Sequence, residues 1–155
     1  MNSVTNAAVT DDGGFVLEMR RTFQAERERV FEAFTRPDAL SQWWGPAGVS
    51  APRVELDLRH GGSFEIDMHH DSGNVHYLSG VYEEITPYDR LVFSWAWGQG
   101  EDKGPATHVT LEFHDVADGT EIVLTHRGFA TEEGQRQHGS GWGGCFECLD
   151  IYLKQ

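Results

Sequence analysis

The stretch GWGGCFECLDIYL, Gly141 to Leu153, decides how the rest of the chain is read. Its large apolar residues are Trp142, Cys145 or Phe146, Leu149, and Tyr152 or Leu153. They recur every three to four positions, the spacing of one helix face. From Pro52 back toward this helix almost every apolar run has a period of two instead, which is the spacing of a strand. A sheet with one apolar face must bury that face against something. The C-terminal helix is the one long amphipathic element left to cover it.

Working outward, FVLEMRRTF (15–23) alternates, with one basic intrusion, and reads as a strand. AERERVFEAFTRP (25–37) switches period: Val30, Phe31 and Phe34 fall on one helix face, and Pro37 ends or restarts the helix. PDALSQWW (37–44) gives a second short helix, with Pro37 in its first turn and Gly45-Pro46 as terminator. RVELDLR, SFEIDMHH, YLSGVYEEI, RLVFSWAW, THVTLEFH and TEIVLTHRG then alternate in succession. Short turns separate most of them: HGG, DSGN, TPYD and DVADGT, the last carrying the hairpin pair Asp118-Gly119. Hairpin turns make neighbouring strands antiparallel. The class is α+β, with about six to seven strands, two short helices after the first strand, and a long C-terminal helix.

The totals set limits. A chain of 155 residues suits one domain and can bury a core without staples. Residues 1–14 are expected to form a flexible polar tail and residues 15–155 the domain. Twelve basic against 25 acidic residues give a formal charge of −13, which disfavours nucleic acid and anionic membrane surfaces. No apolar run reaches the roughly 18–20 residues that span a bilayer, so no integral membrane association is expected. The N-terminus lacks the basic and apolar regions of an export signal, and two nearby cysteines suit a reduced, cytoplasmic setting.

RTFQAERERVFEAFTRPDALSQWWGPAG (21–48) resembles the opening of the START-like, or SRPBCC, superfamily (the birch-pollen-allergen-like fold), in the branch named after the activator of the heat-shock protein 90 ATPase. The resemblance continues in VELDLRHGGSF, GVYEEITPYDRLVFSWAW, HVTLEFHDVADGTEIVLTHRGF and GWGGCFECLDIYL, and covers nearly the whole chain from Phe15. It implies a helix grip: a bent antiparallel sheet wrapped around the C-terminal helix, with an apolar cavity between them. The second short helix would act as a lid, with one of Trp43 and Trp44 turned to the cavity and the other packed on the strand that follows. The activators that name the branch are larger and carry an additional N-terminal domain. This chain has only a fourteen-residue tail there, and that departure argues against chaperone stimulation.

The leading expectation is a small hydrophobic or aromatic ligand held in that cavity. Its lining is expected from Phe34, Trp43, Trp44, Phe64, Ile66, Met68, Phe93, Trp95, Leu111, Phe113, Leu124, His126, Trp142, Cys145 and Leu149, with His126, Tyr82 or Arg20 orienting the ligand. His126 shares a strand face with Ile122 and Leu124 and therefore needs a partner. It is either a satisfied structural histidine, the favoured reading, or a polar contact to a ligand. Arg20 could clamp a carboxylate if it faces inward, and alternation leaves its facing open. Cys145 and Cys148 form a C-x-x-C inside a helix, without the strand and helix N-terminus that a redox motif needs. His69, His70 and His76 bracket a turn and read as solvated histidines rather than metal ligands. No nucleophile elbow, phosphate loop or zinc motif is present, and no cofactor or metal is called for. Two alternatives remain: a cyclase- or hydrolase-type enzyme using His126 as its acid–base group, and a co-chaperone-like partner-binding module. An exposed edge strand makes a homodimer a further expectation.

Overall fold

Each of the alternating segments becomes a strand in the computed structural model, which describes residues 3–9 (backbone only), 14–45 and 47–155. The strands are β1 (Ser3–Val9), β2 (Phe15–Phe23), β3 (Val49–Leu56), β4 (Ser63–His70), β5 (Val75–Thr86), β6 (Arg90–Trp97), β7 (Thr107–Val116) and β8 (Gly119–Phe129). The helices are α1 (Arg27–Thr35), α2 (Pro37–Leu40) and α3 (Glu132–Leu153). All neighbouring strands pair antiparallel, in the order β1-β2-β8-β7-β6-β5-β4-β3. Among the described residues, no helix is long and apolar enough to cross a membrane.

The sheet therefore has the seven expected strands from Phe15 onward, plus β1. The segment expected to be a tail contributes Ser3–Val9, which pairs with β2 through partners such as Val4 with Met19. Residues 1–2 and 10–13 of that segment lie outside the described residues, as does Pro46 of the expected helix stop. SVTNAAV carries too little apolar alternation to announce a strand, and edge pairing through the backbone needs none.

The two short helices follow their patterns. Val30, Phe31 and Phe34 are buried on α1. Arg36 is extended because it precedes Pro37, and it separates α1 from α2. Phe31 and Phe34 meet Phe113 of β7 edge to face, with ring centroids 5.2 and 5.9 Å apart. α2 closes after one turn at Leu40, short of the expected Trp44, and the two tryptophans sit in the turn beyond it.

α3 begins at Glu132, a little over two turns before Gly141. The Thr131 hydroxyl accepts the Gly134 N–H at 3.0 Å, and Glu132 and Glu133 occupy the first turn. Trp142, Cys145, Phe146, Leu149 and Leu153 form its buried face. Phe146 packs edge-on to Phe23 of β2, with centroids 5.6 Å apart. Arg21, the basic intrusion on β2, ties the strand to α3 through Glu147 at 2.7 Å and Asp150 at 3.6 Å.

The sheet bends where its register slips. β5 and β6 shift between Tyr82 and Glu84. Nearby Gly80 has no room for a side chain, because a Cβ there would drive into the Ser94 carbonyl oxygen and the Phe64 ring. That close approach lets β4, β5 and β6 curl away from the far half of the sheet. The first half of α3 then faces the β4–β5 hairpin across a gap.

Candidate functional site

The gap is a cavity of about 590 Å3. Trp44 enters from the turn after α2, Met68 and His70 from β4, and Val75, His76 and Tyr77 from β5. Trp95, Trp97 and Gly98 come from the end of β6, and Gln137, His138, Gly141, Trp142 and Cys145 from α3. This is a volume that suits a drug-sized molecule. Among the described residues, no Asp, Glu, Lys or Arg lines it. Its depth is aromatic: the Trp95 ring lies 5.2 Å from Trp142, 5.5 Å from Trp97 and 5.9 Å from Trp44, and Trp44 lies 5.5 Å from Trp142. Its rim is polar, with His76 and Gln137 exposed and His70, Tyr77 and His138 half-buried. His70 Nε2 and His76 Nδ1 lie 3.3 Å apart across the hairpin. Among the described residues, no group of three or more His, Cys, Asp or Glu is arranged to hold a metal ion.

Two histidines fix the walls. Trp142 Nε1–H donates to His126 Nδ1 at 3.1 Å, so that nitrogen carries no proton. The neutral ring therefore donates from Nε2 to the Thr107 hydroxyl at 2.7 Å, and this hydroxyl donates to the Trp95 carbonyl at 3.2 Å. Burial, with His138 and His108 nearby, holds His126 well below its ordinary pKa. His138 accepts the Trp97 Nε1–H at Nε2, 3.0 Å away, and donates Nδ1–H to the Gly134 carbonyl at 2.8 Å. Burial likewise lowers its pKa, although the Gly134 bond pulls the other way. His138 thus straps α3 to β6 at the cavity mouth.

The expected lining residues divide. Trp44, Met68, Trp95, Trp142 and Cys145 line the cavity. Phe34, Phe64, Ile66, Tyr82 and Phe93 instead surround a separate, nearly filled space of about 30 Å3, which Trp44 and Trp95 also bound. Trp43, Leu111, Phe113, Leu124, His126 and Leu149 are buried core and touch neither space. His126 lies behind the wall, fully buried, with both nitrogens engaged by Thr107 and Trp142. Trp43 turns back onto α1 rather than onto the following strand: its Nε1–H donates to the Ala33 carbonyl at 3.0 Å and its ring meets Phe34 at 4.9 Å. Arg20 points to solvent beside Glu121. Cys145 is buried and its thiol is pushed up to about 12, chiefly by burial, which makes it a poor nucleophile; Cys148 is also a free thiol.

Nine lining residues escape the sequence pattern, Val75 and Gly98 among them. His138 and Gln137 precede the point at which helical spacing becomes legible. Trp97 was legible in principle, because WAW places it on the same strand face as Trp95. His70, His76, Tyr77 and Gly141 reach the cavity only because the sheet bends.

This arrangement of cavity, bent sheet and capping helix can be compared with known proteins. The family described as activator of Hsp90 ATPase homolog 1-like protein matches residues 24–154. The chain belongs to this family. Among solved structures, the AHSA1 protein of Silicibacter pomeroyi is 27% identical over 90% of this chain and 97% of its own, with a TM-score of 0.80. A protein from Chromobacterium violaceum shares the fold at 24% identity, over 90% of this chain and 98% of its own, with a TM-score of 0.81. So does CalU16 of Micromonospora echinospora, at 23% identity over 99% and 86%, with a TM-score of 0.75. No curated protein matches the chain.

Proposed function

We propose that this AHSA1-like chain is a ligand-binding module that takes a small hydrophobic or aromatic molecule between the bent sheet and α3. The observation that carries the reading is the cavity of about 590 Å3, walled by Trp44, Trp95, Trp97 and Trp142 and free of formally charged side chains. Apolar contact there supplies affinity at about 25 cal/mol per Å2 removed from water. The polar rim of His70, His76 and Gln137 lets a ligand keep one end in water.

The test is native mass spectrometry of protein purified from its own host, followed by denaturation and analysis of what is released. A stoichiometric small molecule is the expected result, and Cys145→Trp, which projects a ring into the cavity, should abolish its retention in a folded protein. Retention unchanged by that substitution would move the ligand elsewhere. The family's name supports a second reading, contact with a heat-shock ATPase. Stimulation of such an ATPase by this chain, unaffected by filling the cavity, would favour it.

A further inference from the structure

The chain has five tryptophans, and their indole nitrogens fall into two groups. Trp43 donates to the Ala33 carbonyl, Trp97 to His138 and Trp142 to His126. The nitrogens of Trp44 and Trp95 are buried and have no hydrogen-bond partner among the described residues. A buried N–H left unpaired is costly, and most such groups in folded proteins find an acceptor. These two rings, 5.9 Å apart, also form the partition between the large cavity and the small inner space. Among the tryptophans, the unpaired donors therefore belong to the two rings that bound both spaces.

On the reading that the cavity binds a ligand, we infer the ligand's chemistry: an uncharged, flat aromatic molecule whose leading edge carries a hydrogen-bond acceptor, such as a ketone, for the indole N–H of Trp44 or Trp95. Both nitrogens are covered by neighbouring atoms, so pairing them takes a turn of the ring. Hydrogen bonds hold Trp43, Trp97 and Trp142 at their nitrogens, whereas only packing resists the turn in Trp44 and Trp95. The inner space, about 30 Å3, offers volume for one carbonyl-sized group once the partition shifts.

The lack of charge follows from the lining. A carboxylate or ammonium carried to the partition would lose its water with no Arg, Lys, Asp or Glu among the described lining residues to replace it. His138 cannot stand in, because both its nitrogens are already engaged and burial keeps it neutral. Tyr82, on the inner space, is likewise held as a neutral phenol by burial. Flatness follows from walls of indole faces and edges, which favour stacked and edge-on aromatic contacts.

The experiment is calorimetric titration of the intact protein with three probes of one shape: fluorene, fluorenone and fluorenone carboxylate. Fluorenone should bind roughly tenfold tighter than fluorene, the order expected of one hydrogen bond to an otherwise unpaired donor, and the carboxylate should bind more weakly than fluorenone. Trp44→Phe or Trp95→Phe should erase the preference, so that within the variant fluorenone binds no tighter than fluorene. Trp43→Phe, which removes an already paired indole outside both spaces, should leave the preference in place. Equal binding of fluorene and fluorenone, or tightest binding of the carboxylate, overturns the inference and leaves the cavity reading standing. No binding of any probe overturns the cavity reading and the inference with it. A preference that survives in both the Trp44 and Trp95 variants overturns the assignment of the donor.

Discussion

At the scale of single residues, His126 shows how a polar side chain can belong to a core. Its alternation with Ile122 and Leu124 predicts the inward face, and it is fully buried. The same alternation could not say whether it meets a ligand, because its partners come from β7 and α3, nineteen and sixteen residues away in sequence. The lowered pKa has a direct consequence for stability. The unfolded chain takes up a proton at the ordinary value of 6.5, and the folded chain resists until the pH is lower. More protons on the unfolded state mean that stability is complete above that value and is lost as pH falls through it. The loss runs at up to about 1.4 kcal/mol per pH unit for this one group. Thermal unfolding should therefore show a steady midpoint above about pH 7 and a falling one below. His126→Phe should flatten that slope and lower stability at neutral pH by about 1–3 kcal/mol, since it strands the Trp142 and Thr107 partners. An unchanged slope in that variant would assign the titration to other groups.

At the scale of elements, α3 was half legible. Its second half has an apolar face on which every large residue is buried, and spacing alone revealed it. Its first half is glycine-rich and polar, and it is helical because Thr131 caps it and because the sheet's bend gives Trp97 to His138. The glycines there are open to test. A Cβ at Gly141 or Gly143 meets nothing within 4 Å, and neither residue has a positive φ. Gly143→Ala should raise stability by roughly 0.5–1 kcal/mol in chemical denaturation, because glycine is a poor helix former. Gly141 faces the cavity, so Gly141→Phe should weaken ligand binding at least about tenfold, equivalent to about 1.4 kcal/mol of displaced contact, while the fold persists. Full binding in a folded Gly141→Phe protein would place the ligand elsewhere. The second short helix, expected from Pro37 to Trp44, forms but ends at Leu40, and the two indoles beyond it go to different neighbours, Trp43 to Phe34 and Trp44 to Trp95 and Trp142.

At the scale of the whole molecule, the order of elements and their antiparallel pairing could be read from period and turns, and resemblance supplied the helix grip. The curvature could not be read. It depends on the slip between Tyr82 and Glu84 and on the missing side chain at Gly80, and it decides which residues of β4, β5 and β6 face space rather than core. That is why Phe64, Ile66 and Phe93 fill an interior wall while Met68, Trp95 and Trp97, further along the same strands, border the cavity. Two parts of the molecule should differ in their opening. Amides of β2, β7 and β8, sandwiched under α1 and α3, should exchange slowest, and those of the exposed β4–β5 hairpin end faster. Saturating ligand at one hundred times its dissociation constant should raise unfolding free energy by about 2.7 kcal/mol. It should slow exchange at the hairpin end and at α3 near His138, and slowing confined to β2 would contradict the site.

The tryptophan cluster has an optical side as well. All five indoles, Trp43 through its contact with Trp44 included, have neighbouring centroids 5.2–5.9 Å apart, close enough for their transition dipoles to couple, so light absorbed by one is shared among them. The folded chain should therefore carry a split circular-dichroism band that belongs to the group and to no single ring. A guest that turns Trp44 or Trp95 changes the angle between dipoles, and the shape of the band changes with it. The walls of the cavity are thus a built-in chromophore whose spectrum registers what lies between them.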